Sequence, residues 1–347
     1  MIENSYSFNR LTKTLLLSAA ATVLNGCSHY HGLDDFHGKP KLRKGAVACH
    51  SVPNKFIGAE EVRSHRYHYS LNEKSGIVYT DKAGHVDIAH LRKSADWTAY
   101  LAGKCRQNII EGKREWHFEL NEPTRYNVKL EYPPQWEQVE NKEIIIENIA
   151  INMGGHFAYT AMIWHEMLTW FGYSSTRFMN EFGSSFSWED NFSNLLGIIL
   201  AAQALKDKDH NYNEAMTIAL ENELERLGGH PMKVARQMAK DVRGRWYTLR
   251  FPFFLKLMKR NLDIGEDGYV VSLTCHGSGN GESIPVPNKL WEKHGFKLDL
   301  ELVPTGRRTR GIRKITKKKT IVPQDDFKTI IDIIEADATA RGFDYVR

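Results

Sequence analysis

The stretch 143–171 constrains this chain most, because its apolar side chains recur every three or four positions. Ile146, Ile149, Met153, Phe157, Ala161, Trp164, Leu168 and Phe171 fall on one line of a 3.6-residue helix. Such a line must be covered by other apolar surface, so the remaining elements are expected to pack around this helix. Glu147, Asn148, Asn152 and His156 interrupt the stretch and exclude a membrane span. Gly154-Gly155 in its middle marks a kink or a close backbone approach, and Gly172 is placed to end it. The chain has 347 residues, 41% hydrophobic and 26% charged, which excludes a disordered chain, a collagen-like fibre and a multi-pass membrane protein. The formal net charge of +5 is too small an excess to argue for nucleic acid, and no nucleic-acid partner is expected.

Shorter signals flank the long helix. Residues 76–80 read as a strand, with 81–84 as its turn, and a helix follows over 88–103. Residues 116–120 and 126–132 alternate in polarity around Asn-Glu-Pro-Thr, a hairpin pattern. Ser187 stands as a candidate N-cap with Asp190 three residues on, ahead of a helix reaching about residue 205. Further helices are expected over 213–227, 231–242 and 327–340, and a strand over 269–275. No internal repeat is present. The class is helix-rich α+β, a long central helix packed with shorter helices and small antiparallel hairpins, in a single globular domain over 46–347.

The N-terminus reads as an address. Arg10 and Lys13 precede the apolar run 15–24, which is too short to span a bilayer, and Asn25, Gly26 and Cys27 follow. Leu-Asn-Gly-Cys resembles the lipobox of bacterial lipoproteins. That resemblance implies removal of residues 1–26 and acylation of Cys27, with Ser28 directing the product to the outer membrane, facing the periplasm. Residues 27–45, rich in Gly, His, Lys and Asp, read as a tether to that membrane. In an oxidising compartment Cys49, Cys105 and Cys275 allow one disulfide, whose pairing the sequence does not fix.

Three segments carry a second resemblance. Residues 75–101 contain Gly-His-Val-Asp-Ile-Ala-His-Leu-Arg-Lys-Ser-Ala-Asp-Trp, residues 164–175 begin Trp-His-Glu-Met-Leu-Thr-Trp-Phe-Gly-Tyr, and residues 186–197 read Phe-Ser-Trp-Glu-Asp-Asn-Phe-Ser-Asn-Leu-Leu-Gly. Together they resemble an uncharacterised bacterial lipoprotein family, domain of unknown function 4056. The family pattern maps onto Asp87, His90, Arg92, Asp96, His165, Glu166, Glu189, Asp190 and Asn194, and implies a location rather than a reaction.

On chemical grounds, Asp87 and His90 are three apart at a loop-to-helix junction and can share one divalent ion. His165 and Glu166 lie beside the buried line of the long helix. The expectation is a Zn2+ hydrolase acting on an envelope peptide or amide bond, with Asp87, His90 and His165 as ligands and Glu166 as base. Arg92, Asp190 and Asn194 would support that cluster. The alternative is a non-enzymatic envelope lipoprotein that binds a partner or ligand. There Asp87 is only an N-cap, Arg92 and Asp96 form an i,i+4 ion pair, and the histidines sit satisfied in the core. Cys275-His276 is discounted as a catalytic dyad because neighbours in a strand point to opposite faces. His65 and His68 are reserve ligands, read mainly as surface or strand residues, and His85 is a weaker ligand candidate. Residues 307–319, from Arg307 to Lys319, hold eight Lys/Arg and no acid, a contact for anionic lipid or cell-wall polymer. Labelled acyl chains are expected on the wild-type protein and not on Cys27→Ala. Labelling that survives in the variant removes the anchor.

Overall fold

The computed structural model describes residues 32–36, 56–67, 73–174, 181–250, 254–275 and 281–347. Helix α1 spans Ile88–Ile110, longer than its sequence signal. Asp87 caps it, its Oδ1 accepting from the amides of Ala89 (2.7 Å) and His90 (3.2 Å). Helix α2 spans Lys142–Trp170 and is the long central helix the periodicity predicts. All members of its apolar line through Leu168 are buried; Phe171 is half-buried at the C-cap. The close approach expected at Gly154 is present, since a Cβ there would lie 2.6 Å from the Ala102 amide nitrogen of α1. Gly172 follows with φ +88°, the left-handed cap glycine supplies at little strain.

Helix α3 spans Asp190–Ala204 and packs on α1, Gly197 approaching so closely that a Cβ would meet the Leu91 carbonyl oxygen at 2.1 Å. Ser187 does not cap this helix as expected; Glu189 occupies the cap position and Ser187 Oγ donates to the Glu189 carboxylate. Helix α4 (Tyr212–Arg226) starts with an Asn211–Glu214 capping box, and α5 (Met232–Val242) follows. Helix α6 (Leu290–Lys293), the basic α7 (Arg310–Thr316) and α8 (Pro323–Ala340) complete the helical set among the described residues. None of these helices is long and apolar enough to cross a membrane.

The sheets are small. Strands β1 (Ile77–Thr80) and β2 (Gly84–Asp87) form the hairpin that feeds α1. The expected hairpin is β3 (Glu115–Glu119) with β4 (Thr124–Glu131). Two-stranded pairs join β5 (Tyr247–Arg250) to β6 (Phe254–Leu257), β7 (Lys259–Asn261) to β11 (Asp344–Val346), and β8 (Tyr269–Val271) to β9 (Ser283–Pro285). A third strand the sequence reading did not identify, β10 (Lys297–Pro304), pairs antiparallel with β4, Pro304 opposite Thr124. The fold class is as expected, helix-rich α+β with a long helix at its centre. Strand β8 ends before Cys275, so the strand argument against Cys275-His276 does not apply, and His276 lies outside the described residues. Cys105 and Cys275 are both free and buried, while Cys27 and Cys49 lie outside the described residues. Within the expected tether, Gly32–Phe36 is a 3-10 turn with Leu33 and Phe36 buried, Phe36 lying edge-on to Tyr67 and Tyr212.

Gly154→Ala is expected to cost about 1–3 kcal/mol, because its new methyl meets backbone that cannot yield. Gly155→Ala should cost less, its nearest neighbour being the Ile198 Cγ2 methyl at 3.1 Å. Urea unfolding of the two variants checks the contrast, and equal losses would contradict the close-approach argument.

Candidate functional site

The heads of α1 and α3 meet beside the C-terminal part of α2, and each brings acids. Asp87 closes β2 and caps α1, and His90 follows one turn on. Asp87 Oδ1 is held by two helix amides, so Oδ2 is the oxygen left to face His90 Nδ1, at 2.9 Å. Asp190 Oδ1, from the first residue of α3, lies 3.4 Å from the same nitrogen. The ligand atoms of Asp87, His90 and Asp190 all fall within 4.8 Å of one another. With metal–ligand bonds of about 2.0–2.2 Å, donor atoms around a tetrahedral ion sit about 3.4 Å apart, so this group can hold a metal ion. The Asp87 amide donates to Ser193 Oγ (2.9 Å), and Ser193 Oγ donates to the Glu189 carbonyl (2.6 Å), which ties the two helix heads together.

The surroundings are strongly acidic and largely buried. Asp87, Asp190, Glu189 and Glu166 are all buried, and only His90 is partly open. Burial, reinforced by the charge of Asp87 against the Ser187 hydrogen bond, pushes the Glu189 carboxyl up to about 7. Burial likewise raises Asp190 well above the usual carboxylate range. His90 opposes that rise, and Glu166, Glu189 and Asp87 add to it. Glu189 Oε1 and Asn194 Oδ1, one helical turn beyond Asp190, are buried without a hydrogen-bond partner. Glu166 Oε2 accepts from the Phe186 amide at 2.6 Å, where Phe186 adopts φ +51°. Arg260 is the nearby cation, its guanidinium donating to the carbonyls of Ser185, Gly183 and Phe182. Burial lowers Arg260 to about 10, against the raising pull of Glu166 and Asp190.

The expected cluster is therefore partly assembled and partly redistributed. Asp87 and His90 converge as expected, and Glu166 is close enough to act on Asp190. The third converging residue is Asp190, which the sequence reading gave only a supporting part. His165 takes no place in this group; its Nδ1 faces Glu122 Oε1 at 3.0 Å. Successive helical residues diverge by about 100°, so His165 and Glu166 serve different surroundings. In the sequence Glu122 is only part of the Asn-Glu-Pro-Thr turn. Its signal was an acid buried inside a hairpin connection, which polarity alone does not reveal.

Arg92 belongs elsewhere. It is fully buried and donates to the carbonyls of Lys74 (3.1 Å) and Arg63, with Nε 3.9 Å from Glu73. His65, expected at a surface or strand position, is buried outside any strand with Nε2 2.8 Å from Asp96 Oδ1. These residues clamp the segment before β1 onto α1. His68 lies outside the described residues. His85 Nδ1 instead faces Cys275 Sγ at 3.4 Å, in a pocket with Phe56, Tyr79 and Trp188. Burial pushes that thiol up to about 12 and that imidazole down to about 4, so both are neutral near pH 7.

Fold and site together define a helix-rich α+β protein with a buried carboxylate–histidine centre able to hold a metal ion. The chain belongs to the family described as Protein of unknown function (DUF4056), whose model matches residues 47–272, more than half of its length. Comparison with curated proteins and with solved structures finds no match.

A carboxyl raised on folding takes up a proton as the chain folds. In metal-free protein the Glu189 contribution to stability is full below its unfolded value of 4.5 and is lost as pH rises through about 7. Asp190 acts in the same direction. Urea unfolding across that window should show wild-type stability falling relative to Glu189→Gln. A difference that is flat, or that grows with pH, would contradict the protonated-cluster picture.

Proposed function

We propose that Asp87, His90 and Asp190 hold one divalent ion, and that the protein is a lipid-anchored envelope hydrolase acting on a peptide or amide bond. The observation that carries this reading is the convergence of one imidazole nitrogen and two carboxylate oxygens at ligand spacing inside a buried acidic pocket. Buried like charges repel, and a divalent cation relieves that repulsion more fully than the single His90 ring. A nitrogen and two oxygens suit zinc, which supplies a hydroxide near neutral pH when bound. Glu189, with an unpartnered Oε1 and a carboxyl poised near 7, is the proton acceptor in this scheme. Glu166, the base expected from sequence, accepts from the Phe186 amide, and its charge acts on Arg260 and Asp190.

The envelope assignment rests on the lipobox-like Leu-Asn-Gly-Cys, with Cys27 as the acylated residue on the periplasmic side of the outer membrane. The exposed cations between Arg307 and Lys319 suit an anionic surface or polymer. The burial of Asp87 and Asp190 favours the alternative, a binding lipoprotein in which the same cluster only holds the helix heads together. Metal analysis separates the two. Protein purified without added metal should carry about one equivalent of zinc. His90→Ala and Asp190→Asn should lose it, while His165→Ala should keep it. Wild-type protein that stays metal-free in the presence of zinc would leave the scaffold reading.

A further inference from the structure

The end of the molecule remote from Asp87 and His90 carries an open cleft. The last turns of α1 meet the first turn of α2 there, together with the segment that follows β4. Arg106, on its wall, stands about 24 Å from His90 along α1. The cleft has a volume of about 530 Å³, within the range of sites that take a small organic ligand. Much of its wall is apolar: Ile109 and Ile110 from α1, Ile146 from α2, and Tyr132, Pro133 and Trp136 between them. Ile110 is 58% exposed, a large apolar side chain held in water beside this wall. Three cations line the same cleft, Arg106, Arg114 and Lys142, against two acids, Glu137 and Glu143. Arg106 is matched by Asp34 at 3.2 Å and Lys142 by Glu137 at 2.9 Å. Glu143 lies in the first turn of α2, where the helix dipole favours an acid. Arg114 is then the one unmatched charge: among the described residues it has no ion pair, and its charge reaches the half-buried Tyr132 ring.

An apolar wall beside one unmatched cation fits a ligand with an apolar chain and a single anionic head. A cleft of this size suits one chain rather than a two-chain lipid. Asp34 belongs to the 3-10 turn Gly32–Phe36, so its pair with Arg106 ties the cleft to a turn that begins five residues after Cys27. Five residues reach at most about 18 Å. An acylated Cys27 would therefore hold this end of the molecule next to the membrane, a store of such amphiphiles. We infer that the cleft binds a single-chain anionic amphiphile, its head at Arg114 and its chain along Ile110 and Tyr132. The membrane as the source rests on the anchor reading; binding itself requires neither the anchor nor the metal.

The test is fluorescence titration of the full chain carrying Cys27→Ala, which has no acyl chain of its own to compete, with dansyl-undecanoic acid and its uncharged primary amide. The acid should bind at least about tenfold tighter than the amide at low salt. Arg114→Gln should remove that preference and leave amide binding unchanged, while Arg114→Lys should keep it. Ile110→Asn should weaken both probes alike. Arg114 and Ile110 are both exposed, so these variants are expected to fold. No binding, equal affinities, a preference that survives Arg114→Gln, or affinities unchanged in Ile110→Asn would overturn the inference. So would displacement of the acid by phosphatidylglycerol vesicles but not by decanoate, the outcome if this face docks on a membrane surface instead. Protein that takes no zinc yet binds the acid would end the hydrolase reading alone, and wild-type protein that carries no acyl label yet binds the acid would end the anchor reading alone.

Discussion

Backbone-to-backbone approach at two glycines sets the geometry on which the rest depends. Gly154 lets α2 lie against Ala102 of α1, and Gly197 lets α3 lie against the Leu91 carbonyl of the same helix. With α1 held between these contacts, the head of α1, the head of α3 and the C-terminal part of α2 meet at one place. Asp87 and His90, Asp190, and Glu166 come from those three positions. A methyl at either glycine would push the helices apart, and the same shift would separate ligand atoms now within 4.8 Å.

That meeting place is electrostatically expensive. Four carboxyl groups share a buried volume with one histidine and one buried arginine. The chain meets part of the cost with fixed dipoles, the α1 amides on Asp87 and the Phe186 amide on Glu166. The remainder appears as carboxyls driven toward the protonated form at Glu189 and Asp190. A structural network with no other task would more simply be apolar, which is the physical argument for a cation here. The neighbouring pocket around Glu122 is balanced differently, with His165 and Lys93 keeping the acid ionised. Two acid-centred clusters on the same helices thus have opposite protonation preferences.

Much of the fold was legible because its helices carry strong periodicity. The buried line from Ile146 to Leu168 and the Asp87 cap could be read directly. Strand β10 was missed although Leu298, Leu300 and Leu302 alternate with charged residues and Val303, because such a short run shows no partner until β4 is beside it. Ser187 has the residue type and spacing of a cap but bonds the Glu189 side chain instead, a difference one dimension does not carry. At the site, the convergence of Asp87 and His90 was legible from residue type and spacing. Asp190 was undervalued and His165 overvalued, since spacing along one helix does not say which neighbour each face will meet.

The amino-acid order alone determined the helix-rich class, the central helix, its glycine approach and its cap, because these follow from local periodicity and backbone conformation. Tertiary packing decided that Asp190 rather than His165 completes the converging group, that Arg92 and His65 anchor a different segment, and that Glu122 is buried between two cations. The reason is geometric. Adjacent side chains on a helix diverge by about 100°, so which pocket each one enters depends on which helices pack against it, and that is settled only when α1, α2 and α3 come into contact.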